Sequence, residues 1–117
     1  MKILIIDDEV LIGRTFSRFF SKSHEVRVAV DGLDGLKQWI EFQPDLVILD
    51  FIMPGLNAEQ LLDKVKPFSK AKVCLISAYI GDTETETQIL KRVDLFIAKP
   101  FEDIVKVCDK ILKTLGA

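Results

Sequence analysis

Five residues of this chain carry side chains suited to handling a metal and an anion together: Asp7, Asp8, Asp50, Ser77 and Lys99. Each stands where a short apolar run stops and a loop takes over. In a parallel sheet the strand ends lie side by side, so groups far apart in sequence converge on one spot. Carboxylates drawn together in this way repel one another unless a cation neutralises them. Lys99 alone is too little for three aspartates. The set therefore asks for a divalent cation, whose hard oxygen ligands the aspartates supply. It also asks for an anion beside that cation, within reach of the Lys99 ammonium and the Ser77 hydroxyl.

The elements that must position these groups are legible in the hydropathy pattern. Short apolar runs at residues 3–6, 26–29, 46–49, 73–76 and 95–98 read as strands. The first, third and fourth are almost wholly Ile, Leu, Val or Cys, as expected of strands buried on both faces of a parallel sheet. Between the strands lie stretches of helical period. Ile12, Phe16, Phe19 and Phe20 form one stripe, and Leu33, Leu36 and Ile40, opened by Asp31-Gly32, form a second. Leu61, Leu62 and Val65 form a third that ends at Pro67, and Ile104, Cys108, Ile111 and Leu115 form the clearest one. Residues 83–90 make a weak helix, rich in threonine and without an apolar face before Ile89-Leu90. Strict alternation of strand and helix with short connections predicts an α/β fold, a doubly wound parallel sheet with helices on both faces. In such sheets ligands bind outside the carboxyl ends of the strands, where strand order reverses. Fold and chemistry point at one place.

Composition narrows the function classes. The 117 residues are 49% hydrophobic and 29% charged, the profile of one globular domain, 1–117. A net charge of -2 leaves no basic footprint for direct nucleic-acid binding. No apolar run approaches the roughly 20 residues that cross a bilayer. Met1-Lys2 runs straight into Ile3-Leu4-Ile5-Ile6, a strand rather than a signal peptide, so a cytoplasmic location is expected. Cys74 and Cys108 read as small buried apolar residues of a reducing compartment, and His24 as a solvated turn residue. With one histidine and no paired Cys/His cluster, Ser-His-Asp, Cys-His and zinc chemistries lack their parts.

Asp7-Asp8-Glu9 after the first strand, Asp50-Phe51-Ile52-Met53-Pro54-Gly55 after the third, Ser77-Ala78 after the fourth and Lys99-Pro100 after the fifth resemble the receiver domain of two-component response regulators. The resemblance covers nearly the whole chain and implies a flavodoxin-like (βα)5 sheet with strand order 2-1-3-4-5. It implies that Asp50 is the phosphate acceptor. Asp8 and Asp50 would ligate Mg²⁺ or Mn²⁺ directly, joined by the backbone carbonyl of Ile52, with Asp7 held through water. Lys99 and Ser77 would bind phosphoryl oxygens. Ser77 and Phe96 would act as switch residues, and the helix at residues 83–90 is expected to be the element that shifts. The implied donor is a phosphohistidine on a sensor histidine kinase or phosphotransfer protein. It would dock near Leu11, Thr15, Pro100 and Phe101, Leu11 being either docking surface or core. The expected product is a monomeric phospho-acceptor that acts on a downstream protein target and is not an enzyme in its own right.

Three departures from the commonest family pattern stand out. Ala58 replaces a frequent glycine, expected to tighten its loop; Ser77 stands where threonine is also common; Ile52 and Tyr79 stand two residues beyond Asp50 and Ser77. Apolar bulk at the last two positions is expected to exclude hydrolytic water and to prolong the phosphoryl state. Rival readings fare worse. A magnesium-dependent aspartyl-phosphate hydrolase of the haloacid dehalogenase kind needs a second carboxylate at position 52 and a cap domain. A flavin carrier needs a phosphate loop where Asp7-Asp8-Glu9 would repel it. A phosphate-independent scaffold has no reason to keep the full set of five.

Overall fold

The computed structural model describes residues 1–78 and 84–116. Strands and helices alternate from end to end: β1 (Lys2–Ile6), α1 (Val10–Phe20), β2 (Glu25–Ala29), α2 (Gly32–Phe42), β3 (Leu46–Asp50), α3 (Ala58–Val65), β4 (Lys72–Ser77), α4 (Glu84–Leu90), β5 (Leu95–Ala98) and α5 (Ile104–Leu115). All strand pairs are parallel and the order is β2-β1-β3-β4-β5. This is the flavodoxin-like arrangement, with its reversal of order between β1 and β3.

Side-chain alternation along the strands divides the apolar residues into two layers. Ile3, Ile5, Leu46, Ile48, Cys74 and Ile76 pack with Phe16 and Phe20 of α1 and Cys108 and Ile111 of α5. Leu4, Ile6, Val47, Leu49, Val73 and Leu75 face the other way, onto Trp39 of α2, Leu61 and Val65 of α3 and Ile89 of α4. Every residue of β3 is buried, which accounts for its unbroken apolar run. Cys74 and Cys108 are fully buried, and burial pushes both thiols up to about 12.

Two expectations are corrected, one from periodicity and one from the family pattern. In α2, Leu33 and Ile40 are exposed, and the inward face is Gly32, Gly35, Trp39 and Phe42, with Leu36 half-buried. The glycines let the helix lie close: a Cβ on Gly32 would fall 1.9 Å from the Leu56 carbonyl oxygen. Ala58 is the first residue of α3 and is fully buried, so it belongs to the helix and not to the loop before it. Asn57 caps that helix, its side chain accepting from Gln60 N while the Gln60 side chain accepts from Asn57 N. His24 lies in the turn after α1, half-buried, with the Met1 amino group 3.1 Å from its Nδ1. Of the weak helix, Thr83 lies outside the described residues, as does Tyr79.

Candidate phosphoryl and metal site

The carboxyl ends of β1, β3 and β4 and the residue after β5 bring the chemical groups together. Asp7 continues the sheet for one more residue, its N–H donating to the Ala29 carbonyl at 3.0 Å. Its side chain is fully buried, and Oδ1 accepts from Glu9 N at 2.8 Å. Asp50 closes β3 with 4% exposure, and its Oδ1 lies 3.4 Å from Ile52 N. Ser77 closes β4, buried, and its carbonyl accepts from Lys99 N at 2.9 Å. That bond fixes the backbone of Lys99 beside β4. Lys99 then turns its ammonium across the strand ends, and its Nζ sits 3.1 Å from Asp7 Oδ2, 3.4 Å from Asp50 Oδ2 and 2.9 Å from Glu9 Oε1. The peptide that follows, Lys99–Pro100, is cis.

The loop from β3 to α3 completes one rim of the site. Gly55 takes a left-handed φ of 79°, which glycine adopts without steric cost. Ile52, two residues beyond Asp50, is 58% exposed and stands at the mouth.

Electrostatics make the cluster unstable as it stands. Oxygens of Asp7, Asp8 and Asp50 lie within 4.8 Å of one another. Burial, then the charge of Asp7, raises the Asp50 carboxyl to about 7. Burial likewise raises Asp7. Burial works against the Lys99 charge, but the contacts with Glu9 and Asp7 and the charges of the nearby carboxylates prevail and raise it. Asp7 Oδ2 is buried and accepts no hydrogen bond from the described residues; Lys99 lies at ion-pair distance but out of line for one. A buried anionic oxygen without a donor, beside two more carboxylates, is chemistry that a hard divalent cation satisfies. The residues present fit such an ion.

The structure thus brings together Asp7, Asp8, Asp50, Ser77 and Lys99. Phe96 is half-buried on β5 and packs in the same layer as α3 and α4. Leu11 is 76% exposed on α1, and Thr15 donates to its carbonyl at 2.7 Å. Phe101 packs edge-on against Phe16 of the core at 5.6 Å, while Pro100 is exposed. Sequence reasoning assigns no role to Glu9, yet it makes the shortest contact to Lys99. The signal for it was faint: a third acid in a row beside a site with one lysine.

The family model described as the response regulator receiver domain matches residues 3–111. The chain belongs to that family. Similar curated proteins include the uncharacterized transcriptional regulatory protein YclJ of Bacillus subtilis, 31% identical over 92% of this chain and 48% of that protein. Another is protein-glutamate methylesterase/protein-glutamine glutaminase 2 of Koribacter versatilis, 30% identical over the whole of this receiver domain and 36% of that protein. The chain spans less than half the length of these curated relatives. Among solved structures, the receiver domain of the Francisella response regulator 1452 aligns with a TM-score of 0.81 at 26% identity, covering 97% of this chain and 95% of that one. The N-terminal domain of an uncharacterized protein from Wolinella succinogenes aligns with a TM-score of 0.84 at 29% identity, covering 97% and 93%. Among the described residues no helix is long and apolar enough to cross a membrane.

Proposed function

We propose that this receiver domain, residues 1–117, takes a phosphoryl group onto Asp50 from a phosphohistidine of a sensor histidine kinase or phosphotransfer protein in the cytoplasm. The observation that carries the reading is the Lys99 ammonium set between buried Asp7 and Asp50 at 3.1 and 3.4 Å, with Asp8 beside them. Asp7, Asp8 and Asp50, with the Ile52 carbonyl, would hold Mg²⁺ or Mn²⁺. Bound there, the cation would neutralise charge on the transferring oxygens.

The chain's own residues do the rest. An ionised Asp50 oxygen attacks phosphorus in line; the new P–O bond forms as the P–N bond to the donor imidazole breaks, and the imidazole keeps the electron pair. Lys99 offsets charge on one phosphoryl oxygen, and the Ser77 hydroxyl donates to another. Burial of Asp7 and Asp50 keeps bulk water from both. The product carries more negative charge and more acceptor oxygens than the aspartate did, and so draws Ser77 and the adjoining backbone inward. Phe96, in the layer shared with α3 and α4, then fills the space left behind, and α4 shifts. Docking of the donor uses Thr15 and exposed Leu11 of α1 with Pro100 and Phe101 after β5; the downstream partner is a protein.

The test is intact mass after incubation with Mg²⁺ and acetyl phosphate. One phosphoryl adduct is expected on the natural chain and none on Asp50→Asn. An adduct that persists in Asp50→Asn, or that forms equally with a chelator present, overturns the assignment.

A further inference from the structure

We propose that Glu9 is a positioning residue that parks the Lys99 ammonium and yields it to the incoming phosphoryl group. The inference rests on the phospho-acceptor reading of Asp50 and assigns a regulatory part to a residue outside the acceptor and metal set.

Three carboxylates share one ammonium, and they are not equivalent. Glu9 Oε1 is closest at 2.9 Å and is a hydrogen-bonded partner. Asp50 Oδ2 is the longest contact at 3.4 Å, and Asp7 Oδ2, at 3.1 Å, is an ion pair without a hydrogen bond. Their surroundings differ more than their distances. The Asp7 and Asp50 side chains are 0% and 6% exposed, whereas that of Glu9 is 59% exposed. A buried carboxylate that loses its cation has no water to replace it. An exposed one is rehydrated at once, so its ion pair contributes little net free energy.

Glu9 is therefore the replaceable partner, although it makes the best contact. Its backbone is held fast while its side chain is free to leave. Its N–H donates to Asp7 Oδ1 at 2.8 Å, and its carbonyl accepts from Ile12 N and Gly13 N at the start of α1. An ammonium has three donors, and in this arrangement the one most available to a phosphoryl oxygen is the one Glu9 now holds. Lys99 must exchange Glu9 for phosphate on activation, and Glu9 competes for it at every turnover.

Four chains test this: natural, Glu9→Gln, Lys99→Met and the double variant, each labelled with Mg²⁺ and acetyl phosphate and followed by intact mass. Glu9→Gln is expected to label roughly two- to fivefold faster, the range of an exposed ion pair. That gain is expected to vanish in the Lys99→Met background. A gain of equal size with Lys99 absent would reflect only a less negative mouth and overturns the proposal. A second readout needs neither metal nor labelling: urea unfolding of the same four chains. A coupling of roughly two- to fivefold in the unfolding constant supports the contact, and strict additivity overturns it. If the natural chain takes no adduct, the acceptor reading itself falls. Normal labelling of the natural chain with an unchanged Glu9→Gln rate overturns this proposal alone.

Discussion

Asp50 is held in a protonation balance that its neighbours set. Its carboxyl titrates near 3.8 when free and is raised to about 7 in the fold, first by burial and then by Asp7. Between these two values the folded chain keeps a proton that the unfolded chain has released. Stability without metal is therefore expected to fall as pH rises from about 4 to about 7, and to level off above. Asp50→Asn removes that loss, and at pH 7.5 without metal it should gain up to about 4 kcal/mol over the natural chain. Urea midpoints measured across the pH range with chelator present check both statements; parallel curves for the two chains would sink them. Ile52, 58% exposed at the mouth, supports a second expectation. Ile52→Asn should shorten the phosphoryl lifetime several-fold by orienting a water, read as decay of the adduct after donor is removed; an unchanged rate would remove Ile52 from the account.

At the scale of elements, close approach decides more than hydropathy does. Gly32 opens α2 against the backbone of Leu56, and the 1.9 Å separation from a Cβ leaves no room for alanine. Gly32→Ala is expected to lower stability by about 3 kcal/mol, measured by urea unfolding, since a backbone carbonyl cannot swing aside as a side chain can. The helix α4 lies at the other extreme. Among its described side chains Ile89 alone is fully buried, so it belongs to the low-stability end of the fold. Amide exchange with Mg²⁺ and beryllofluoride should change over Glu84–Leu90 and leave α1 unaltered; unchanged exchange in α4 would count against it as the moving part. These cases also mark how far the sequence could be read. The runs in β1, β3 and β4 were plain because burial on both faces forces continuous apolar residues. Hydropathy misplaces the inward face of α2 because Leu33 and Ile40 weigh heavily in any such pattern, while the glycines that let the helix approach the sheet weigh nothing. Asp7, Asp8, Asp50, Ser77 and Lys99 were legible because strand ends converge by topology. Glu9 was not, because its part depends on where a long side chain reaches.

For the molecule as a whole, the sheet separates two ends as well as two layers. The polar cluster lies at the carboxyl ends of the strands. The single tryptophan lies toward the other end: Trp39 donates its indole N–H to Ser69 Oγ at 2.9 Å and borders a hollow formed with Pro44, Asp45 and Ala71, around the amino ends of β3 and β4. Asp45 precedes and Asp50 closes a strand that rises about 3.3 Å per residue, so the two ends are roughly 16 Å apart. An optical consequence follows. Indole emission should report loss of the fold faithfully, yet stay nearly dark to events at Asp50, with no change in intensity on adding Mg²⁺ or beryllofluoride. A large quench on adding either ligand would show that the two ends communicate. For everyday work the chain thus carries a built-in thermometer of folding, and any optical gauge of its signalling state has to be installed elsewhere.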